Sequence, residues 1–531
     1  MLKVKNVMQK CHILLKSLTL DGSEAAYVRH NKEIWGDNSS NNKKGEILVE
    51  SCTIASSIIS FSYLANILAG IHNATIKTYV IRKKSLITKI LSFKINKIYK
   101  SFHTDDVVYF YLSQSQSLEK ETLFNTVYSR LKDKKDVEDL KIDGVWIGDL
   151  VYDSHCMNYK VPTINISDKD FRDSLSQAIS YYIFWRDYFE AHNVKSIILT
   201  HTVYYQIAII SRIAIHRKIP VYQINATHLY YLSEKNIMAY TEFFHYPEYF
   251  RALSKEEQLK GLQMAKERLE KRLSGEVGVD MRYSTKSAYG GVKNNKVLRE
   301  SPRIKILVAT HCFFDNPHPY GVNLFPDFYE WLTFLGTISE KTDYDWYIKT
   351  HPDFLPGNIP IIEEFVKRYP KLALIPSETS HLQLIEEGIS FALTVYGTIG
   401  FEYAALGIPV VNASLCNARI RYNINIHPKS IEEYERILLS LPEQKLDIDM
   451  NEVYEAYYMF YLNKTENWLF QDYEGFLKNI GGYNKQIGSV SYDKFLEEFS
   501  RQRHEEIKLS LKKFVDSGEY CFQKKYLSKL N

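Results

Sequence analysis

The stretch from residue 345 to 412 constrains this chain more than any other. It reads DWYIKTHPDF, a helical segment, LALIPSETSHLQLIEEG and then ISFALTVYGTIGFEYAALGIPVV. Short apolar runs at 346–348, 372–375, 391–395 and 409–411 alternate with helical patterns, and that spacing predicts parallel strands wrapped by helices. Ligands of such sheets sit beyond the carboxyl ends of the strands. The polar residues of the stretch fall at those ends: Lys349, His351 and Pro352 after the first run, Ser377 and Glu378 after the second, Tyr396, Gly397 and Thr398 after the third. The last group opens a helix, whose first unpaired N–H groups suit an anion. This half of the chain reads as a nucleotide-binding unit.

The N-terminal half follows the same alternation. Apolar runs at 47–50, 75–81, 107–111, 196–199 and 221–224 are separated by helical segments, and His201 stands at the carboxyl end of one of them. A Gly-, Ser- and Asn-rich segment, 274–302, precedes a further run at 304–309 that leads into His311. The expected division is an N-terminal extension (1–45), a Rossmann-like domain (46–273), a linker (274–303), a second such domain (304–445) and a helical C-terminal tail (446–531).

Composition narrows the function classes. The content of 45% hydrophobic and 24% charged residues is that of a soluble globular protein, and a net charge of +4 over 531 residues gives no bulk attraction to nucleic acid. The six cysteines are scattered without a CxxC pair, which argues against a thiolate zinc site and fits a reducing cytoplasm. The charged opening MLKVKNVMQKCHILLKSL is unlike a secretory signal. Residues 51–71 carry no formal charge, yet their serines and Asn66 make them a buried helix rather than a membrane span. The basic segment RKKSLITKILSFKINKIYK has two readings, a solvated helix face or a contact with anionic lipid headgroups.

Two Rossmann-like halves joined by a linker describe the GT-B architecture of sugar-nucleotide glycosyltransferases. The segments KTHPDF, SETSHLQLIEEG and YGTIGFEYAALGIPVV resemble the donor half of bacterial capsule and surface-carbohydrate transferases. That group includes the Kdo transferases of capsule assembly, which share a His-Pro motif and use CMP-sugars. VATHCFFDNPH and IGDLVYDSHCMN are similar to further segments of the group. The resemblance implies a GT-B fold with two domains facing across a cleft. It implies that His351 contacts the donor phosphate, that Thr398 and the adjoining helix start hold its oxygens, and that Glu402 reaches the ribose hydroxyls. His311, Lys349, Pro352, Ser377 and Gly397 complete the expected donor site. The nucleotide-sugar is then substrate rather than cofactor, no metal is required, and the acceptor is a glycan or glycolipid. The expected placement is cytoplasmic, with peripheral contact to the inner membrane or a polysaccharide assembly complex, and without nucleic acid as partner.

One departure bears on the chemistry. Where the capsule Kdo transferases carry an acidic motif with glycine after a strand of IPVY type, this chain runs from IPVYQI into Asn225, Ala226 and Thr227. The catalytic base is left to the N-terminal half, where Asp149, Asp153 and His201 are candidates. Asp153, after a strand-like Val151–Tyr152 pair, and His201 are the two expected to line the cleft opposite His351. Asp343 and Asp345 match a D-x-D pattern but precede their strand, at the wrong end of the sheet for a ligand. No HExxH, P-loop or GxGxxG occurs. Alternatives on the same fold are a CDP-polyol phosphotransferase and a sugar-nucleotide 2-epimerase. A different class is a non-catalytic scaffold of a polysaccharide assembly complex.

Overall fold

The computed structural model describes residues 18–36, 43–282, 284–290, 295–351, 353 and 356–527. Residues 1–17 and 37–42 of the expected N-terminal extension therefore lie outside the described residues.

Runs such as ILV at 47–49 and IIL at 197–199 are apolar without alternation and wholly buried, as strands covered on both faces must be. They form the centre of a six-stranded sheet. Its strands are β1 (Glu46–Glu50), β2 (Thr75–Lys83), β3 (Thr104–Phe110), β6 (Val194–Leu199), β7 (Val221–Ile224) and β8 (Leu229–Leu232), in the order β3-β2-β1-β6-β7-β8. All neighbours are parallel except β7 and β8, which pair antiparallel from Val221↔Leu232 to Ile224↔Leu229. A small hairpin, β4 (Lys141–Ile142) and β5 (Val145–Trp146), stands apart.

The second sheet holds β9 (Lys305–Ala309), β10 (Asp345–Lys349), β11 (Leu372–Leu374), β12 (Ile389–Thr394) and β13 (Val410–Asn412). Its order is β11-β10-β9-β12-β13, parallel throughout. The chain moves from β9 outward to β10 and β11, then returns to the other side of β9 for β12. That reversal leaves a crevice between the ends of β9 and β12. Asp343 and Asp345 lie at the amino end of β10, beside Arg303 and away from that crevice. Two Rossmann-like domains thus face each other across a cleft, the GT-B arrangement.

Helix Ala55–His72 is long and apolar enough to cross a membrane, yet most of it is buried inside the N-terminal domain. Its apolar face packs under the sheet, and its serines are buried too: Ser60 Oγ donates to Ser56 O at 2.9 Å and Ser62 Oγ to Ile59 O at 2.7 Å. The second face is covered by the end of the chain. Trp468, Phe470, Tyr492, Leu511 and Phe514 join Ile47, Ile58 and Leu64 in one core.

Helix Lys255–Leu273 belongs physically with the second half. Its Ala265 and Leu269 pack with Phe401, Ala404, Val453 and Ala456, and with Phe243 and Phe250 before it. The connection between the domains therefore precedes the Gly-rich segment, and residues 284–290 are left to line the second half. The tail divides as well: 450–462 packs on that half, while 468–527 returns to the N-terminal core.

Candidate functional site

A cavity of about 480 Å³ opens at the carboxyl ends of β9, β10 and β12. His311, Lys349, His351, Gly397, Thr398 and Glu402 all line it, drawn from three strand ends that the topology makes neighbours. Pro352 lies outside the described residues. Ser377 does not line the cavity; its carbonyl oxygen instead accepts from Lys349 Nζ at 2.6 Å and fixes that ammonium.

The two histidines differ in tautomer. His311 stacks on Phe328 at 4.5 Å between ring centroids, and its Nε2 accepts from Val395 N at 3.3 Å. Its single proton therefore sits on Nδ1, and burial, with His351 and Arg419 adding, pushes its pKa down to about 3. His351 has the opposite arrangement. Asp353 N donates to its Nδ1 at 3.1 Å, which places the ring proton on Nε2. Partial desolvation lowers its pKa despite the Asp353 charge, so the neutral donor form prevails at neutral pH. The residue after the His-Pro pair is thus what sets the tautomer. Asp353 is held in turn by Thr285, whose N donates at 2.9 Å and whose hydroxyl also bonds it.

Lys349 is buried, and desolvation lowers its pKa to about 8 against the pull of Glu378. Gly397 gives close backbone approach: a Cβ there would stand 2.6 Å from Thr394 Oγ1. Thr398 precedes helix Ile399–Ala405, which has only 7 residues, so its dipole is short. The fixed charge comes from elsewhere. Arg272, in the last turn of helix Lys255–Leu273, places Nη2 at 2.5 Å from Glu402 Oε1 and 3.3 Å from Thr398 Oγ1. Burial works against the Arg272 charge, yet Glu402 together with Tyr461, Tyr457 and Tyr289 outweighs it and holds the guanidinium above its ordinary range. Burial pushes the Glu402 carboxyl up, opposed by Arg272, and Oε2 is buried without a partner among the described residues.

The linker forms one wall. Ser284, Lys286, Ser287, Ala288 and Tyr289 line the cavity, held by Ser380 Oγ to Tyr289 O at 2.9 Å and His381 N to Ala288 O at 3.0 Å. Asp315, exposed in the loop after β9, also lines the cavity. Its charge, with that of Asp153, adds to burial in raising the Tyr204 phenol. Tyr204 follows β6 with φ of +64°, a left-handed conformation that a tyrosine adopts only under constraint, and it marks where the N-terminal domain meets the site.

Neither expected base lines this cavity. Asp153 does not follow a strand: residues Gly148–Tyr159 form a helix, nearly all buried through Cys156. Its carboxylate is spent on His318, with Oδ1 at 2.6 Å from Nδ1 and Oδ2 accepting from the backbone N at 3.3 Å. His318 belongs to the loop after β9, and its Nε2 reaches Glu138 Oε1 at 3.1 Å. Asp327 with Tyr152, and Glu330 with Lys134 at 2.5 Å, extend this contact between the halves. Asp153 is a structural tie across the interface. His201 is partly buried near Tyr204, at 6.5 Å between rings, with Nδ1 unpartnered among the described residues. Asp149 pairs with the buried Arg212 at 2.5 Å. Among the described residues no group of three or more His, Cys, Asp or Glu side chains could hold a metal ion.

No family model and no curated protein matches the chain. Among solved structures it is similar to KpsC of Thermosulfurimonas dismutans, a beta Kdo 2,4 transferase, at 13% identity and TM-score 0.31, covering 50% of this chain and 79% of that one. It is similar to the UDP-GlcNAc 2-epimerase of Neisseria meningitidis bound to UDP-GlcNAc, at 12% identity and TM-score 0.22, covering 78% and 97%. A glycosyltransferase of Rickettsia africae matches at 11% identity and TM-score 0.21, covering 92% and 100%.

Proposed function

We propose that this chain is a glycosyltransferase that moves a sugar from a nucleotide-activated donor, a CMP-sugar above others, onto a surface polysaccharide or glycolipid acceptor. One observation carries this reading. A neutral histidine with its proton on Nε2, a buried lysine, a fixed arginine and an unpartnered carboxylate oxygen meet on one cavity at a sheet's carboxyl edge. The cavity volume suits a nucleotide.

The roles follow from charge. As the bond from the anomeric carbon to the phosphate oxygen breaks, negative charge grows on the phosphate. His351 Nε2–H, Lys349 and Arg272 supply donors and positive charge that need no reorganisation. Glu402 Oε2 accepts from a ribose hydroxyl. The acceptor hydroxyl bonds to the anomeric carbon and gives its proton to Asp315, an exposed cavity carboxylate that makes no ion pair among the described residues.

The test is nucleotide release by the full chain with a panel of CMP-sugars, UDP-sugars and CDP-polyols, each with and without glycan acceptors. Acceptor-dependent release of CMP from a CMP-sugar is the expected result. CMP release from a CDP-polyol would select the phosphotransferase alternative, and epimerised UDP-sugar without acceptor the 2-epimerase. Binding of no nucleotide in a thermal-shift screen would leave the scaffold reading. Asp315→Asn is expected to abolish transfer while nucleotide binding persists.

A further inference from the structure

Helix Leu86–Lys100 connects β2 to the edge strand β3, and one of its faces is left without protein cover. Thr88, Ile98 and Tyr99 are its buried residues. On the opposite side Leu86, Lys89, Phe93, Lys97 and Lys100 follow one another at spacings of three and four, a single helical stripe, and all are exposed. Leu86, Ile87, Phe93 and Tyr111 expose 74%, 64%, 45% and 51% of their surfaces, which is unusual for large apolar residues grouped this closely. Every charged side chain from Arg82 to Lys100 is a cation, and this strip alone carries more positive charge than the net +4 of the whole chain. The next acidic residues along the chain are Asp105 and Asp106, beyond the end of the helix, and Glu24 pairs with Lys94 at 2.7 Å. Lys84 lies 4.7 Å from the Tyr111 ring centroid and Lys97 4.6 Å from that of Phe93, so cations flank the exposed rings.

We propose that this face docks the protein on an anionic lipid bilayer. Leu86, Ile87 and Phe93 enter the interface while Lys83, Lys84, Lys89 and Lys97 meet the headgroups. The lysine stems lie along the apolar surface and their ammonium groups reach the charge. Nucleic acid would use the cations but leave Leu86 and Ile87 in water, whereas a bilayer satisfies both. The position is also suited to a membrane-borne substrate. Ser85 caps the helix at the carboxyl end of β2, on the edge of the parallel sheet that also carries Tyr204 after β6. The bilayer would thus lie along the cleft side of the N-terminal domain. This inference stands apart from the enzymatic reading, because docking requires no substrate.

The experiment is flotation of the full chain with vesicles of phosphatidylglycerol and phosphatidylcholine, against vesicles of phosphatidylcholine alone. Binding is expected only to the anionic vesicles and to weaken with salt. In the triple variant Lys83→Glu, Lys84→Glu, Lys97→Glu each change should lower the partition coefficient at least about fivefold. The pair Leu86→Ser, Ile87→Ser should lower it roughly tenfold even at low salt. Melting temperatures should stay unchanged, since all five side chains are exposed. Failure of the parent protein to float with anionic vesicles, equal flotation with neutral ones, or unaltered binding by either variant would overturn the proposal. RNA binding insensitive to the Leu86 and Ile87 changes, with no flotation, would do the same.

Discussion

The guanidinium of Arg272 stands 2.5 Å from the carboxylate of Glu402, and only one of the two carboxylate oxygens is used. The pair joins the helix that ends at Leu273 to the helix that begins at Ile399, beneath the cavity at the end of β12. Arg272→Met leaves the buried Glu402 charge without its counterion and should cost about 3–5 kcal/mol of stability, read from urea unfolding. Glu402→Gln keeps a hydrogen-bonding side chain of the same shape. It leaves the buried Arg272 charge without its counterion and should lower the melting temperature as well, while the folded variant should bind nucleoside-containing ligands about 1.5–3 kcal/mol more weakly, with inorganic phosphate affected less. Equal losses for phosphate and nucleotide would remove Glu402 from ribose recognition.

His351 is exposed and, among the described residues, its side chain accepts only the bond from Asp353 N, so its loss should spare the fold. His351→Ala is expected to lower kcat by about 2–4 kcal/mol in transition-state terms, with KM for the donor changed far less. Asp353→Ala tests the tautomer separately. Without the N–H geometry that Asp353 and Thr285 maintain, His351 loses its fixed proton position, and kcat should fall by a smaller factor, roughly tenfold. Full activity of both variants would dismiss the imidazole as a leaving-group donor.

Lys349 has its pKa lowered to about 8 by burial, so it changes charge just above neutral pH. A phosphate binds the protonated form better. Affinity for CDP, whose charge is constant above neutrality, should therefore fall as pH rises through 8, and the bound anion will move the midpoint upward. Lys349→Met should bind CDP more weakly at pH 7 and show a flat profile from pH 7 to 9. Calorimetric titration across that range reads both effects, and a parallel pH dependence in parent and variant would assign the titration elsewhere.

The strands were legible because buried parallel strands are short apolar runs bounded by polar turns, and Trp346, Phe391 and Ile197 sit in such runs. His311, His351 and Thr398 were legible as a group because strand ends of one sheet are neighbours whatever their separation in the chain. Helix Gly148–Tyr159 was hidden for the opposite reason. Its residues from Gly148 to Cys156 are buried on every side, so no polar face marks the 3.6-residue period. Arg272 was missed amid the exposed cations of its helix. Yet Gly261, Ala265, Leu269 and Arg272 are its buried residues and form one stripe, and a cation on an apolar stripe is the signal that marks it. Asp315 and His318 carry no periodic signal at all, since their loop takes its shape from the domain it touches.

His318 stands between two carboxylates of the other domain, Asp153 at 2.6 Å and Glu138 at 3.1 Å, and donates from both ring nitrogens. It is therefore an imidazolium. Burial alone would lower its pKa, but Asp153 and Glu138 together raise it to about 10. The other charges around it are Lys135, which pairs with Glu138 at 2.8 Å, and Asp149, which acts on Asp153. Between the ordinary histidine value near 6.5 and about 10 the folded protein holds a proton that the unfolded chain has released. The stabilisation is fully present below pH 6.5 and is lost as pH rises towards 10. Lys349 acts with the opposite sign above pH 8, so the measurement must be a difference against a variant that keeps it. His318→Gln leaves two buried carboxylates without their cation and should cost about 3–5 kcal/mol at pH 7. Its stability should then fall less steeply than that of the parent from pH 7 to 10. Because the bonds join the two halves, the variant should also be cut faster by protease between Ala239 and Phe243, where the chain passes from one core to the other, under native conditions. Identical pH slopes in parent and variant would show that His318 is not the group that titrates, and unchanged proteolysis would show that it does not hold the domains together.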